Sequence, residues 1–228
     1  MISRSQGVVK RTFDIAGSSI AIVLFAPLVI LLALLVKLTS KGPAFYKQTR
    51  IGLDGRLFEI IKLRTMTVGA PYVQFSDGSS MTARNDPRVT RIGRILRATS
   101  LDELPQFYNV LRGDMSIVGP RPDQLEQAAF YDEENARKLA MRPGITGLAM
   151  IRGRNSIPWK VRIKYDIEYI DRYTLLLDAK IFLRTVPLVL LRQGVCSPPP
   201  TETVAAGYLS IPSVAHGEQL ELHSGAEA

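Results

Sequence analysis

The longest apolar pattern in the chain runs from Ile15 to Val36, 22 residues without a charged side chain. As a helix this run is about 33 Å long, the thickness of a bilayer core, so hydropathy alone predicts a membrane-spanning anchor. A cleaved signal peptide fits poorly, because the run is too long and no cleavage pattern follows it.

Two further features of this segment argue against simple spanning. Basic residues flank it on both sides, which favours a cytoplasmic position for both ends: Arg4, Lys10, Arg11, Lys37, Lys41, Lys47 and Arg50. Pro27 lies near the middle, removes one helix hydrogen bond and is able to bend the helix. From the residues alone, a re-entrant helix that enters and leaves by the same leaflet and a spanning helix remain equally open.

The remaining pattern predicts a small helix-rich domain. Residues 43–62 indicate a β-hairpin around Asp54-Gly55, and residues 67–85 are polar enough to form a loop. Arginines three apart, interleaved with aliphatic residues, predict a short basic amphipathic helix over 88–97. Further helices are predicted over 100–111, 123–139 (with Asp123 as N-cap), 159–174 and 178–192, and the rest as a mobile tail.

Charge is distributed unevenly over the 228 residues. All 29 Lys and Arg residues and all but four of the 21 Asp and Glu residues precede Gly194, so this part carries a net charge of about +12. Such a charge favours an anionic partner: nucleic acid, phosphorylated ligands or an anionic membrane surface. The only cysteine is Cys196, and both histidines, His216 and His223, lie in the tail. Histidine triads and Cys- or His-rich metal sites in the core are therefore excluded.

The densest group of candidate residues lies in 97–122, where Asp102 and Glu103 are adjacent. One interpretation is structural, since Ser100 and Glu103 have the spacing of a helix capping box. The other is chemical. Arg97 precedes a helix N-terminus that suits phosphate, paired carboxylates beside phosphate suit Mg²⁺, and a carboxylate can attack phosphorus. Arg121, between two prolines on a stiff backbone, is suited to orient against phosphate.

These residues also carry a resemblance to a known family. The segments are KRTFD at 10–14, KLRTM at 62–66, the nearly unbroken block 85–122, RPGITGLAMIRGRN at 142–155, and the spaced set Trp159, Asp166, Tyr169, Asp178 and Thr185. Over residues 8–192 the chain resembles the bacterial sugar transferases, which are monotopic phosphoglycosyl transferases. The resemblance implies an α/β fold: a small, helix-rich, membrane-associated catalytic domain with a short β-hairpin, and an N-terminal re-entrant membrane helix bent at Pro27.

The implied reaction moves a sugar 1-phosphate from a UDP-sugar to undecaprenyl phosphate at the cytoplasmic face of the inner membrane, releasing UMP. By motif, Asp102 resembles the nucleophile and Glu103 its partner at Mg²⁺, with both acids available to the metal. Further candidates for substrate binding are Arg97, Arg121, Arg154, Asp178, Lys62 and Arg64. Met150 and Arg152 depart from the family pattern, which usually has glutamine at the first position and a small or amide residue at the second.

Two alternative functions are an inactive scaffold and nucleic-acid binding. An inactive membrane-anchored scaffold would use Asp102 and Glu103 only as helix caps. Nucleic-acid binding is disfavoured, because no helix-turn-helix, zinc-finger or aromatic stacking pattern occurs and the apolar run would be unexplained. We therefore predict a membrane helix with its flanks at 1–40, a catalytic domain at 41–193 and a tail at 194–228. Membrane lipids are expected partners, nucleic acid is not, and a homodimer is left open.

Overall fold

We describe the protein from a computed structural model, which covers residues 4–74, 86–192 and 209–211. Cys196, both histidines, most of the predicted tail and part of the predicted polar loop lie outside these residues. The predicted division into three segments is not tested by the structure and stays a prediction.

The apolar segment forms one long helix, α1, from Arg4 to Thr39, with Pro27 inside it. The helix is long and apolar enough to cross a membrane. One of its faces is buried against the rest of the protein along most of its length: Lys10, Asp14, Ser18, Ala21, Leu32 and Val36. The opposite face exposes large apolar side chains that include Phe13, Ile20, Val23, Leu24, Ile30 and Leu34.

The predicted hairpin is confirmed. Strands β1 (Phe45–Ile51) and β2 (Leu57–Leu63) pair antiparallel, with Tyr46 opposite Lys62. The turn between them holds Asp54 and Gly55 at positive φ. Asp and Gly tolerate this left-handed conformation better than most residues, which explains why Asp-Gly is a good predictor of the turn.

Two short strand pairs complete the described strands. Strands β3 (Tyr72–Gln74) and β6 (Leu209–Ile211) pair antiparallel, although the sequence predicted loop and tail there. Strands β4 (Ser116–Val118) and β5 (Gly144–Thr146) pair in parallel. The β4–β5 pair brings the Gly-Pro-Arg-Pro segment at 119–122 beside the start of the 142–155 motif.

The described helices after α1 are short, apart from the last two: α2 (Arg91–Thr99), α3 (Gln106–Arg112), α4 (Glu133–Ala136), α5 (Leu148–Arg152), α6 (Trp159–Asp171) and α7 (Leu175–Leu190). The basic amphipathic helix and the last two predicted helices are thus confirmed with shifted ends. Helix α2 packs very close to the segment after β2: Gly93 lies against the backbone of Thr65, where there is no room for a Cβ atom.

Two predicted helices are wrong as single elements. The stretch 100–111 is divided into a 3₁₀ turn at Leu101–Glu103 and α3, which begins just after Pro105. The stretch 123–139 is divided into two 3₁₀ turns around the one-turn helix α4. Asp123 is not an N-cap; its side chain points into a buried ionic cluster described below.

Candidate active site

The acid pair occupies a tight turn between two helices. Helix α2 ends at Thr99, its C-cap Ser100 has a left-handed φ of 58°, and Asp102 and Glu103 follow in the 3₁₀ turn. The capping box is wrong: the Ser100 side chain makes no cap, and its Oγ accepts a hydrogen bond of 2.6 Å from Arg154 Nη2. The turn buries both carboxylates, and the helix cap that would have explained them structurally is absent.

Glu103 is held by two cations. Lys62 Nζ lies 2.9 Å and Arg121 Nη2 3.3 Å from the same Glu103 oxygen, Oε1. Burial alone would raise the pKa of Glu103, but the charges of Lys62 and Arg121 outweigh it and hold the pKa well below its usual range. Glu103 is therefore an anion at neutral pH.

Asp102 has the opposite environment. It is 8% exposed, and within the described residues no cation lies at ion-pair distance from its carboxylate. Burial, with a further contribution from the Glu103 charge, raises the pKa of Asp102 to about 6. An incompletely solvated carboxylate that is still ionised at neutral pH is suited to act as a nucleophile.

Two more predicted arginines belong to this site. Arg97 donates from Nε to Thr65 Oγ1 at 2.8 Å, and its charge opposes the rise in the pKa of Asp102. Arg154 binds Ser100, and its charge helps to lower the pKa of Glu103. With Lys62 and Arg121, they place four cations around two carboxylates. We call Lys62, Arg97, Asp102, Glu103, Arg121 and Arg154 the acid-pair cluster.

A second buried ionic group lies on the other side of Arg121. Lys138, 3% exposed, is 2.6 Å from Asp123 Oδ2 and 3.0 Å from Asp166 Oδ2. Tyr131 and Trp159 also donate to Asp123, and Asp166 Oδ1 accepts the backbone N–H of Arg121 at 3.3 Å. We call Asp123, Tyr131, Lys138, Trp159 and Asp166 the Lys138 cluster. It holds the backbone from which the Arg121 side chain reaches Glu103.

Two predicted site residues are not brought to the acid pair by any contact in the described structure. The guanidinium of Arg64 donates hydrogen bonds to the backbone carbonyl oxygens of Ser40, Lys41 and Pro43, just after α1. Asp178 accepts hydrogen bonds of 2.6 Å from Lys10 and from Tyr169, which tie α7 to the N-terminal part of α1 and to α6, respectively. Both positions suggest a role in fixing α1 to the domain.

Two residues that support the site were missed in the sequence. Arg50 on β1 donates to the carbonyl oxygen of Pro122 at 3.2 Å, beside Arg121. Asn109 on α3 bridges the Glu59 carbonyl and the Ile61 amide, at 2.7 and 3.0 Å, directly before Lys62. The sequence does not show that a polar residue on a strand or a short helix supports a site, because its hydrogen-bond partners depend on the tertiary packing.

The donor set is compatible with Mg²⁺ bound together with substrate phosphate. Within the described residues, no group of three or more Asp, Glu, His or Cys side chains could hold a metal. Mg²⁺ needs fewer protein ligands, because it commonly takes one or two carboxylates and completes its shell with water and phosphate oxygens. Asp102 and Glu103 are the carboxylates that could serve.

Buried carboxylates among four cations are typical of a site that acts on anionic groups. The profile of the bacterial sugar transferase family matches residues 5–192, and the chain belongs to this family. The predicted family and the predicted enzyme class are thus confirmed.

Named relatives agree with this assignment. The chain is 48% identical, over 79% of its length and 69% of the relative, to a UDP-glucose:undecaprenyl-phosphate glucose-1-phosphate transferase of Caulobacter vibrioides. It is 39% identical, over 82% of its length and 88% of the relative, to the exopolysaccharide production protein ExoY of Rhizobium meliloti. It is 38% identical to an undecaprenyl-phosphate galactose phosphotransferase of Salmonella typhimurium, of which it spans 43%.

Proposed function

We propose that the protein transfers a sugar 1-phosphate from a UDP-sugar to undecaprenyl phosphate and releases UMP, as a membrane step in assembling exopolysaccharide, O-antigen or a glycoconjugate. The names of its relatives support these two substrates. The observation that carries the proposal is the acid-pair cluster, in which Glu103 is neutralised by Lys62 and Arg121 while no cation in the described part of the chain is bonded to Asp102.

The proposed reaction has two steps at one phosphorus atom. A carboxylate oxygen of Asp102 attacks the phosphorus that bears the sugar, the bond from this phosphorus to the UMP oxygen breaks, and UMP leaves with the electron pair. A phosphate oxygen of the lipid then attacks the same phosphorus, and the Asp102 carboxylate leaves unchanged. No external oxidant, reductant or proton donor is needed for this balance.

The described residues have distinct parts in this scheme. Lys62 and Arg121 fix Glu103 and offer positive charge where the diphosphate would lie. Arg97 and Arg154 add to the positive field around the turn, which favours the approach of a polyanionic substrate. Mg²⁺ held by Glu103 and Asp102, when bound, would neutralise charge on the diphosphate.

The same proposal includes the membrane disposition of α1. Near its start, Arg11 donates to the carbonyl oxygens of Val110 and Leu111, and Asp14 accepts from Ser116 and Ile117. Near its end, Leu32 and Val36 pack against Leu63 and Leu96.

Residues 10 and 36 lie about 39 Å apart on a straight helix, more than the thickness of a bilayer core. Since both ends contact the same domain, we propose that both are cytoplasmic and that α1 is re-entrant in the inner membrane.

The covalent step is tested by incubating the full chain with a UDP-sugar and Mg²⁺ in the absence of lipid phosphate. We expect a burst of UMP close to the amount of enzyme, followed by ping-pong kinetics when lipid is added. Asp102→Asn should abolish the burst. A variant that turns over at nearly the normal rate, or a strict need for lipid before UMP appears, would rule out the aspartyl intermediate. Repeating the assay with several UDP-sugars identifies the donor.

The topology is tested by labelling single cysteines at Ser3 and Ser40 in intact cells, after Cys196 has been replaced by serine. Neither position should react with a membrane-impermeant reagent unless the inner membrane is opened. Periplasmic access at Ser3 alone would mean that α1 spans the membrane. Pro27→Leu is the matched variant, since a straighter helix should favour spanning.

A further inference from the structure

A cavity outside the acid-pair cluster opens where α5, α6 and the start of α7 meet. Its volume is about 260 Å³, and its lining includes Arg152, Arg172, Lys180 and Glu168. Arg172 pairs with Glu168 at 3.2 Å. In the part of the chain that the structure describes, neither Arg152 nor Lys180 forms an ion pair with a carboxylate; Arg152 lies 5.5 Å from the centre of the Tyr165 ring. The cavity therefore has an excess of positive charge and room for an anionic group.

Helix α7, which lines one side of this cavity, exposes apolar side chains on its outer face. At about 100° per residue, the exposed apolar residues of α7 cover an arc of about 120°: Leu176, Phe182, Leu183, Val186 and Leu190. Lys180 and Arg184 follow at one edge of this arc. Leu176, 64% exposed, belongs both to the apolar arc and to the lining of the cavity.

The other edge of the apolar arc adjoins α1. Lys10 on α1 lies 2.6 Å from Asp178 in the first turn of α7, and 5.7 Å from the centre of the Tyr173 ring just before it. Lys10 belongs to the buried face of α1, so this contact joins α7 to the helix that is long and apolar enough to cross a membrane.

We propose that the cavity binds the phosphodiester headgroup of an anionic phospholipid through Arg152, Arg172 and Lys180, with the apolar arc of α7 lying in the membrane interface. An apolar helix face bordered by cations fits a bilayer surface, where acyl chains meet the first and phosphates meet the second. A soluble phosphate compound would leave the adjoining arc in water. This inference rests on the membrane association of α1 and does not depend on the covalent aspartyl step.

Arg152 is a cation at the lining of the cavity, two residues before the acid-pair residue Arg154. The interaction proposed here therefore assigns a role to a residue that the proposed reaction does not use.

The test uses the full chain in bilayers of phosphatidylcholine that contain a trace of spin-labelled phosphatidylglycerol or spin-labelled phosphatidylcholine. Electron paramagnetic resonance then measures the fraction of each label that is motionally restricted at the protein. We expect the wild type to retain phosphatidylglycerol about five-fold better than phosphatidylcholine. The preference should fall to about one in R152Q/R172Q/K180Q. The matched control R137Q/K160Q/K164Q removes three exposed cations elsewhere and should keep the preference.

Each other outcome overturns the proposal. Equal retention of both lipids by the wild type, or an equal loss in the control variant, would show that no specific headgroup site exists. Loss of the lipid preference on adding inorganic phosphate alone would assign the cavity to a soluble anion. If R152Q/R172Q/K180Q had a raised KM for undecaprenyl phosphate but kept the lipid preference, the cavity would be an acceptor site. If the same variant lost the lipid-free UMP burst, the cavity would belong to the donor site.

A measurement of how close α7 lies to the lipid headgroups is a second, independent test of the proposal. In a chain with Cys196 replaced by serine, an environment-sensitive dye on Leu183→Cys should be quenched by lipids that carry a nitroxide near the headgroup. The same dye on Lys164→Cys, an exposed position on α6, should not be quenched. Equal quenching at the two positions would exclude an interfacial α7.

Discussion

The acid-pair cluster and the Lys138 cluster contain the same kinds of groups, two buried carboxylates with cations, and they lie on either side of Arg121. In the Lys138 cluster, Lys138 lies at ion-pair distance from both carboxylates; Asp123 also accepts hydrogen bonds from Tyr131 and Trp159, and Asp166 accepts one from the backbone amide of Arg121. In the acid-pair cluster, Lys62 and Arg121 both bind Glu103, and no cation among the described residues is bonded to Asp102. The difference separates a group that is satisfied by the fold from one that is left for a ligand.

The titration of Asp123 and Asp102 reflects this difference, whereas burial raises the pKa of Asp166, the other acid of the Lys138 cluster. Burial would raise the pKa of Asp123, but Lys138 and three hydrogen bonds outweigh it and lower the pKa. For Asp102, burial and the neighbouring Glu103 raise the pKa to about 6, and the cations only limit the rise. Ionisation of Asp123 thus stabilises the folded protein, while ionisation of Asp102 costs stability. Functional sites commonly carry such a cost.

The largest expected effect is a difference in stability between variants of Lys138 and of Lys62. Lys138→Met leaves two buried carboxylates without their shared cation, so we expect a loss of about 3–5 kcal/mol in the free energy of unfolding. Lys62→Met leaves Glu103 with Arg121, so its loss should be no more than about half as large. Unfolding of both variants in detergent micelles, followed by circular dichroism, measures the difference. Equal losses would mean that the acid-pair cluster is as structural as the Lys138 cluster.

The second prediction concerns the sign of the stability change with pH. Because the pKa of Asp102 is higher in the folded state, its contribution is most favourable at low pH and is lost as pH rises from about 4 to about 6. Asp102→Asn should therefore be more stable than wild type at pH 8, by up to about 3 kcal/mol, and similar to it near pH 4. The measurement is the thermal unfolding midpoint at both pH values.

Asp123→Asn is the matched control for this sign. The lowered pKa of Asp123 gives stability that is present above its unfolded pKa and is lost as pH falls through the folded value. This variant should therefore be less stable than wild type at pH 8. If Asp102→Asn were destabilised at pH 8 as well, Asp102 would be a structural residue, as the scaffold hypothesis requires.

The sequence predicted local elements and motif residues better than their arrangement. The hairpin and α2 were predictable because Asp-Gly and the arginine spacing act over a few residues. The segment 123–139 was not, because Asp123, Tyr131 and Lys138 form a buried ionic cluster with Trp159 and Asp166 from α6. Partners that are distant in sequence overrode the local helical preference.

The candidate site shows the same limit. Asp102, Glu103, Arg97, Arg121, Arg154 and Lys62 were named from motifs and lie together. Asp178 and Arg64 came from the same motifs, yet they bind α1 and the segment after it. A motif records which residues a family retains, and it does not distinguish a residue that contacts substrate from one that fixes the framework.

Arg121 links the two clusters and gives the third prediction. Its backbone is held by Asp166, and its guanidinium reaches Glu103. Arg121→Lys keeps the charge but replaces a planar, several-donor group by a point charge on a shorter reach. We expect a loss of about 10- to 100-fold in the rate of UMP release, with little change in the unfolding midpoint. A fully active lysine variant would reduce Arg121 to a structural residue.

The smallest expected effect is a shift in a pH profile, and it tests the coupling inside the acid pair. If Asp102 attacks as the anion, the lipid-free rate of UMP release should fall below an apparent pKa of about 6. Omitting the lipid removes its phosphate, which also titrates, from the measurement.

Glu103→Gln keeps an oxygen that can accept from Lys62 and Arg121 but removes the charge that helps to raise the pKa of Asp102 and that neutralises the two cations. The acid limb should therefore move down by about one pH unit, although the plateau rate falls because the acid beside the diphosphate is lost. Arg137→Gln, at an exposed ion pair with Asp171, is the control and should leave the limb in place. An unmoved limb in Glu103→Gln would mean that Asp102 is not the group whose ionisation limits the rate, since no other neighbour in the described cluster contributes a comparable negative charge.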